Sequence, residues 1–195
     1  MPICKNKFLI STFLIAGAVT LSTPSFGGEY FSRISSFPVD LNLPEGVDRN
    51  TETSAEIIAA SEDGKMLVYS DSPYGAIGMI DIQNPQMPEP LGLIKLDGEP
   101  TSVSIKHGLA FVGVNTTQDL KAPSGSLITI NLKSQDITNS CDLGGQPDSV
   151  AISDDGTLAA VAIENERDED LNKGAMPQGP AGFVAILRPQ HKVYF

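Results

Sequence analysis

The chain has 195 residues, of which 41% are hydrophobic and 19% charged, a composition typical of a globular protein rather than a disordered one. Lysine and arginine total 13 against 24 acidic residues, so the formal net charge is -11 at pH 7. A surface with this charge repels phosphate backbones, which argues against nucleic-acid binding and favours cations or cationic partners.

The N-terminus has the three-part layout of a secretory signal peptide. Lys5 and Lys7 precede an uncharged apolar run over 8–21, and Ser25 and Gly27 are small residues that suit a cleavage site. The apolar run is shorter than the roughly 20 residues that a membrane helix needs. We therefore predict a signal peptide over 1–27, no membrane span after its removal, and a periplasmic or secreted mature chain. An uncleaved anchor is the alternative.

Residues 28–54 are predicted to form an extended N-terminal segment. Residues 30–38 alternate weakly between apolar and polar side chains, which fits either an outer strand that closes a ring or a plain linker. Residues 41–54 are polar and contain Pro and Gly, and they are expected to be loop.

The remainder, 55–195, consists of three similar units that begin at Ala55, Pro100 and Pro147. Their spacing of about 45 residues is that of a four-stranded β-propeller blade. Short Val- and Ile-rich runs alternate with turns that carry Asp-Gly in the first and third units and Gly108 in the second. The predicted strands are 57–60, 66–70, 77–82 and 91–96, then 103–105, 109–114, 127–132 and 137–143, then 150–152, 158–163 and 183–187.

We therefore predict an all-β fold, a partial β-propeller of about three four-stranded antiparallel blades. The units span 55–99, 100–146 and 147–195, and the third is expected to be incomplete because it stops before a fourth strand. An open ring leaves strand edges uncovered, so self-association through these edges is also expected.

The third unit carries a family resemblance. Its opening, Pro147-Asp-Ser-Val-Ala-Ile-Ser-Asp-Asp-Gly156, resembles YVTN-type propeller repeats. The following Glu164-Asn-Glu-Arg-Asp-Glu-Asp170 and Pro180-Ala-Gly-Phe-Val-Ala-Ile186 resemble exported bacterial proteins of the "esterase-like activity of phytase" family, which are also described as alkaline-phosphatase-like. The resemblance covers about 55–187 and corresponds to the N-terminal portion of such proteins, so it implies a truncated, exported propeller related to phosphoesterases.

Ligand-binding residues are expected at one end of the propeller, here called the top, where the loops from second to third strands meet the links between blades. These loops lengthen from unit to unit, and long loops on a rigid scaffold often bind ligands. The second strands are predicted to end at equivalent rim positions, Asp71, Asn115 and Glu164. The predicted top-face ligand-binding residues are Asp71, Glu99, Asn115, Asp148 and Arg167.

The longest of these loops, in the third unit, is strongly acidic. Calcium takes about six to eight oxygen ligands, which clustered carboxylates and carbonyls could supply. The predicted metal ligands are Glu164, Glu166, Asp168 and Asp170, with Ca²⁺ as the candidate ion. Two alternatives stay open: a solvated acidic loop that Arg167 ties down through a carboxylate pair, and Arg167 as a bidentate anion ligand.

The sequence offers no complete catalytic set, and no catalytic residue is assigned. The two histidines are His107, in a turn, and His191, in the C-terminal tail, and neither is placed for a Ser-His-Asp triad. We therefore predict an exported binding or interaction module whose partner is a cation, a small molecule or a protein. The alternative is a metal-dependent phosphoesterase that uses the acidic top-face loops.

Overall fold

The computed structural model describes residues 32–188 as three antiparallel β-sheets, each built from one of the predicted units. Sheet one contains β1 (Ile58–Ala60), β2 (Met66–Asp71), β3 (Ala76–Asp81) and β4 (Glu89–Lys95). Sheet two contains β5 (Glu99–Lys106), β6 (Leu109–Asn115), β7 (Gly125–Asn131) and β8 (Asp136–Asp142). Sheet three contains β9 (Pro147–Ile152), β10 (Ala159–Ile163) and β11 (Phe183–Leu187).

This architecture confirms the all-β prediction and the partial β-propeller. Strands pair with their neighbours in sequence order within every sheet, as they do in a propeller blade. Among residues 32–188 there is no α-helix, and the only helical segments are short 3-10 turns at Val39–Asn42 and Leu171–Gly174. Sheet three has three strands, and the tail at 189–195 lies outside the described residues.

The N-terminal predictions have mixed outcomes. The predicted signal peptide lies outside the described residues, as do Tyr30 and Phe31. No strand forms over 32–38, so the described part of this stretch fits the linker alternative and not the outer strand. The loop expected at 41–54 is present, although its first two residues end the 3-10 turn Val39–Asn42.

The two Asp-Gly turns are held by the same hydrogen bonds. The Ser61 hydroxyl donates to Asp63 (2.7 Å) and accepts the N–H of Met66 (2.9 Å), and Ser153 repeats the first bond with Asp155 (2.7 Å). Gly64 takes the positive φ of +69° that this turn needs. These turns lie at the end of the sheets opposite the top, here called the bottom.

The core lies between the sheets. Because side chains alternate across a strand, sheet two turns one face to sheet one and the other face to sheet three. The contact between sheets one and two is aliphatic and buried; it contains Val68, Ile77 and Met79 from sheet one and Val103, Ala110, Val112, Val114, Ile128 and Ile130 from sheet two. The contact between sheets two and three contains Phe111, Leu127, Leu143, Val150, Val161 and Ile163.

The segment that contains Asn42 covers the outer face of sheet one. The Asn42 amide N–H groups donate to the Tyr69 hydroxyl (2.9 Å) and to the Met79 carbonyl (3.0 Å), while its oxygen accepts the N–H of Gly92 (2.9 Å). Asn42 is 3% exposed and Leu43 4%. The surrounding burial raises the pKa of the Tyr69 hydroxyl. The N-terminal segment thus gives sheet one the cover that sheets two and three receive from the sheet before them.

Candidate functional site

The strand pairing explains why Asp71 differs from the other predicted rim residues. Ile58 lies opposite Tyr69, Val103 opposite Val112, and Val150 opposite Val161. Counting from these pairs, Asp71 corresponds to Val114 and Ile163, whereas Asn115 and Glu164 correspond to Ser72. The predicted equivalence of Asp71 with Asn115 and Glu164 is therefore wrong by one residue, and one residue reverses the face on which a side chain lies.

As a result, Asp71 lies inside the molecule and anchors the N-terminal segment. It is 0% exposed. One carboxylate oxygen accepts the N–H groups of Ser54 (3.0 Å) and Tyr74 (3.1 Å), and the other accepts the hydroxyl of Thr53. These bonds occupy both oxygens, so the structure gives Asp71 a structural role at the position where the sequence predicts a ligand-binding one.

Three other predicted top-face residues lie at strand ends. Asn115 pairs with Glu99, and its side-chain oxygen accepts the N–H of Thr117 (2.9 Å), which starts the loop 116–124. Glu99 and Asp148 are exposed near the starts of β5 and β9. The top-face placement of Glu99, Asn115 and Asp148 thus follows from their strands, but no described side-chain contact joins the three into one site.

The loop 164–182 is fastened to the link before sheet three. Asn165 accepts the N–H of Gln146 (3.0 Å) and donates to the carbonyl of Ala181 (3.2 Å), so it joins both ends of the loop to the sheet. The Gln146 side chain, 7% exposed, donates to Glu166 (3.2 Å) and accepts the Glu166 N–H (3.3 Å). The buried Gln146 amide therefore fixes the position of both the backbone and the carboxylate of Glu166.

The interior of the same loop is organised around Gln178. Its side-chain oxygen accepts the N–H of Asp168 (2.8 Å), and its amide nitrogen donates to the carbonyls of Asp168 (3.0 Å) and Ala175 (3.3 Å). The carboxylate of Asp168 also accepts the N–H groups of Asp170 (3.0 Å) and Leu171 (3.2 Å). The Gln178 amide and the Asp168 carboxylate therefore hold the backbone of this long polar loop in one conformation.

These contacts shape an open depression of about 550 Å³ between the loops of sheets two and three. Its lining consists of Leu120, Glu164, Glu166, Arg167, Asp168, Glu169 and Asp170. Lys121, from the loop 116–124, lies 3.5 Å from the carboxylate of Asp168 and links the two loops. We call this feature the acidic depression.

The predicted metal ligands all line this depression, but their carboxylates do not converge. Within residues 32–188, no group of three or more His, Cys, Asp or Glu side chains is positioned to hold a metal ion. Glu166 and Asp168 are engaged with Gln146 and with the loop backbone, as described above. Glu164 and Asp170 have no side-chain partner among the described residues.

Arg167 is bound within its own loop. Its guanidinium donates to the carbonyl of Gly174 (3.3 Å) and to the carboxylate of Glu169 (3.4 Å). This arrangement matches the sequence-based alternative in which Arg167 ties down the acidic loop. Sequence reasoning did not single out Leu120, Lys121, Gln146 or Gln178, because their roles arise from contacts with residues that are not their neighbours in the chain.

At the bottom, charged side chains connect sheets one and two. Glu62 accepts the N–H of His107 (2.6 Å) and pairs with the Lys106 ammonium (2.9 Å). The Lys106 hydrogen bond lowers the pKa of Glu62 and in turn raises the pKa of Lys106. His107 lies in a turn, as predicted, with a positive φ of 51°. Its backbone N–H helps to join the two sheets through Glu62.

Comparison with solved structures supports the fold alone. A luciferin-regenerating enzyme superposes with a TM-score of 0.51 at 18% identity, covering 70% of this chain and 45% of that one. Hydrazine synthase of Kuenenia stuttgartiensis gives 0.49 at 19% identity, covering 56% of this chain and 30% of that one. The chain spans less than half the length of either protein.

No curated protein matches the sequence. No helix in the described range 32–188 has the length and hydropathy to cross a membrane.

The resemblance to the phytase-related family is not confirmed. The profile that matches, over residues 56–193, is that of the choice-of-anchor I domain, and domains of this kind are cell-surface or extracellular. Since the match covers more than half of the sequence, the chain belongs to the choice-of-anchor I domain family.

Proposed function

We propose that this chain is an exported binding module of the β-propeller type and that its ligand binds in the acidic depression. The observation that carries the proposal is that two loops from neighbouring sheets meet there, where Lys121 of the loop 116–124 pairs with Asp168 of the loop 164–182. Asn165, Gln146 and Gln178 order the second of these loops. Recessed surfaces between ordered loops are the usual position of ligand sites on rigid scaffolds. Export through the N-terminal signal would deliver the module to the periplasm or the medium.

The ligand proposed for this depression is cationic. Five carboxylates line it, while the nearby cations are Arg167 and Lys121, both already paired with carboxylates. Glu164 and Asp170 are the carboxylates left without a described side-chain partner, so they are the ones most available to a ligand. An amine or guanidinium group would satisfy them by charge-assisted hydrogen bonds.

Calcium is the inorganic ligand proposed for the same place. Because the carboxylates do not converge and the depression is open, a bound ion would keep several waters. We therefore expect a Kd on the order of 10⁻⁴–10⁻³ M, as in weak extracellular calcium modules. A cationic peptide, which spreads its charge over several carboxylates, suits the arrangement better.

Isothermal titration of the full exported chain with an oligolysine peptide, and separately with calcium chloride, tests the proposal. The double variant E164Q/D170N should weaken oligolysine binding about fivefold, because two exposed charge pairs are lost. The matched control is E89Q/D136N, which removes two exposed carboxylates, one from β4 in sheet one and one from β8 in sheet two. Equal effects of E89Q/D136N and E164Q/D170N would mean diffuse attraction to an acidic protein and would contradict a site at the depression.

The enzymatic alternative is tested with the same protein. Release of phosphate from p-nitrophenyl phosphate, measured with calcium and then with a chelator, should stay at the background rate. Calcium-dependent turnover that the chelator abolishes would overturn the binding-only proposal in favour of a phosphoesterase.

A further inference from the structure

Strand β11 occupies an edge in a position where the other sheets have an interior strand. In sheet one, β3 pairs with β2 and β4, and in sheet two, β7 pairs with β6 and β8. Strand β11 is the third strand of its own sheet, yet within residues 32–188 it pairs only with β10. One row of its backbone N–H and C=O groups is thus left without a described partner.

The composition of β11 is that of an interior strand. It reads Phe183-Val-Ala-Ile-Leu187, with no charge and no proline. The outer strands of the other two sheets differ: β4 contains Glu89, Pro90 and Lys95, and β8 begins and ends in Asp. Charges and prolines are the devices that keep edge strands from pairing with other chains, and β11 has neither.

We propose that β11 pairs with β11 of a second copy of this chain, antiparallel and about a two-fold axis at Ala185. This register places Ala185 opposite its own copy, Val184 opposite Ile186 of the second copy, and Phe183 opposite Leu187 of the second copy. The two three-stranded sheets then form one continuous six-stranded sheet. The proposal deepens the expectation of association through open edges and is independent of the ligand proposed for the acidic depression.

Side-chain exposure and charge favour this occupant. Val184 is 63% exposed and Ile186 74%, so a second copy of β11 would cover two large aliphatic side chains on each partner. Aliphatic cross-strand pairs stabilise antiparallel sheets. No charge meets another charge across the seam, which matters because the chain has a net charge of -11 and most of its other surfaces would repel a copy.

Stacking of the exposed sheet faces fits less well than edge pairing. The same face of sheet three continues through small side chains, among them Ser149, Ala151, Ala160 and Ala162. Small side chains bury little area and interdigitate poorly, whereas the backbone edge offers directional hydrogen bonds. Edge pairing therefore uses both features of β11, the open backbone and the two aliphatic side chains.

The test measures the oligomeric state of the full exported chain by light scattering and sedimentation across a range of concentrations. The wild type should dimerise. The variant V184K/I186K sets lysines opposite each other on both sides of Ala185, and its dimer Kd should rise by about tenfold or more. The variant V184K/I186E sets Lys opposite Glu in the proposed register and should recover dimerisation. Both positions are exposed in the monomer, and circular dichroism checks that each variant is folded.

A matched control, S149K, adds a lysine to the same face but on β9, away from the seam, and should leave the dimer intact. Three outcomes would overturn the proposal. A wild type that stays monomeric at every concentration would rule out the pairing of β11 with a second copy. Dissociation of S149K to the same extent as V184K/I186K would indicate face stacking. Failure of V184K/I186E to dimerise would exclude the register about Ala185.

Discussion

The role of Asp71 as a buried anchor leads to a quantitative prediction for Asp71→Ala. The substitution removes the acceptor of three donors: the Ser54 N–H, the Tyr74 N–H and the Thr53 hydroxyl. A hydrogen bond to a charged group contributes about 1.5–3 kcal/mol, and a buried donor left without a partner costs about 1–3 kcal/mol. Water can reach part of this site once the side chain is shortened. We therefore expect the free energy of unfolding to fall by about 3–5 kcal/mol.

Two further substitutions calibrate this result. Asp71→Asn keeps the shape and one acceptor oxygen, so it should cost about 1–2 kcal/mol. Asp81→Ala removes a half-buried carboxylate that accepts only local bonds from Gln83, and it should cost less than about 1 kcal/mol. Urea denaturation followed by circular dichroism measures all three, provided that the m-values agree.

The assay also separates a structural Asp71 from a ligand-binding one. A loss of less than about 1 kcal/mol in Asp71→Ala would refute the anchoring argument, because both carboxylate oxygens would then be dispensable for folding. In that case the sequence-based assignment of Asp71 as a top-face ligand residue would regain support. A loss within the expected range would be a large fraction of the 5–15 kcal/mol that is typical of whole domains.

Two other predictions concern close packing and acid stability. In Gly78→Ala the new Cβ would lie 2.1 Å from the Tyr69 ring, so we expect a loss of about 1–3 kcal/mol in urea denaturation; the control Gly179→Ala, with no atom within 4 Å, should be nearly neutral. The Ser153 hydroxyl, with help from Thr157, lowers the pKa of Asp155 to about 2 from its ordinary 3.8. A lowered folded-state pKa adds stability that is present above the unfolded value and is lost as pH falls from about 4 to about 2. Asp155→Asn should therefore flatten the dependence of the urea midpoint on pH in that window, and an unchanged slope would contradict the assignment.

The sequence by itself determined the strand order and the sheets, because both depend on local chemistry. The Val- and Ile-rich runs and the Asp-Gly turns each depend on a few neighbouring residues. Their repetition along the chain reveals three similar units. Predicted strand bounds differ from the observed ones by one or two residues at most ends. The larger differences are the starts of β5 and β9, where Glu99 and Pro147 already belong to strands.

Only the tertiary structure decided what the acidic and polar residues do. A strand side chain changes face with each residue, so the one-residue offset of Asp71 converted an expected rim ligand into a buried anchor for Thr53 and Ser54. Likewise, the carboxylates of 164–170 are close in sequence, but their directions follow from Gln146 and Gln178, which lie outside that run. Contacts between residues far apart in the chain determine side-chain direction, and no local pattern in the sequence records them.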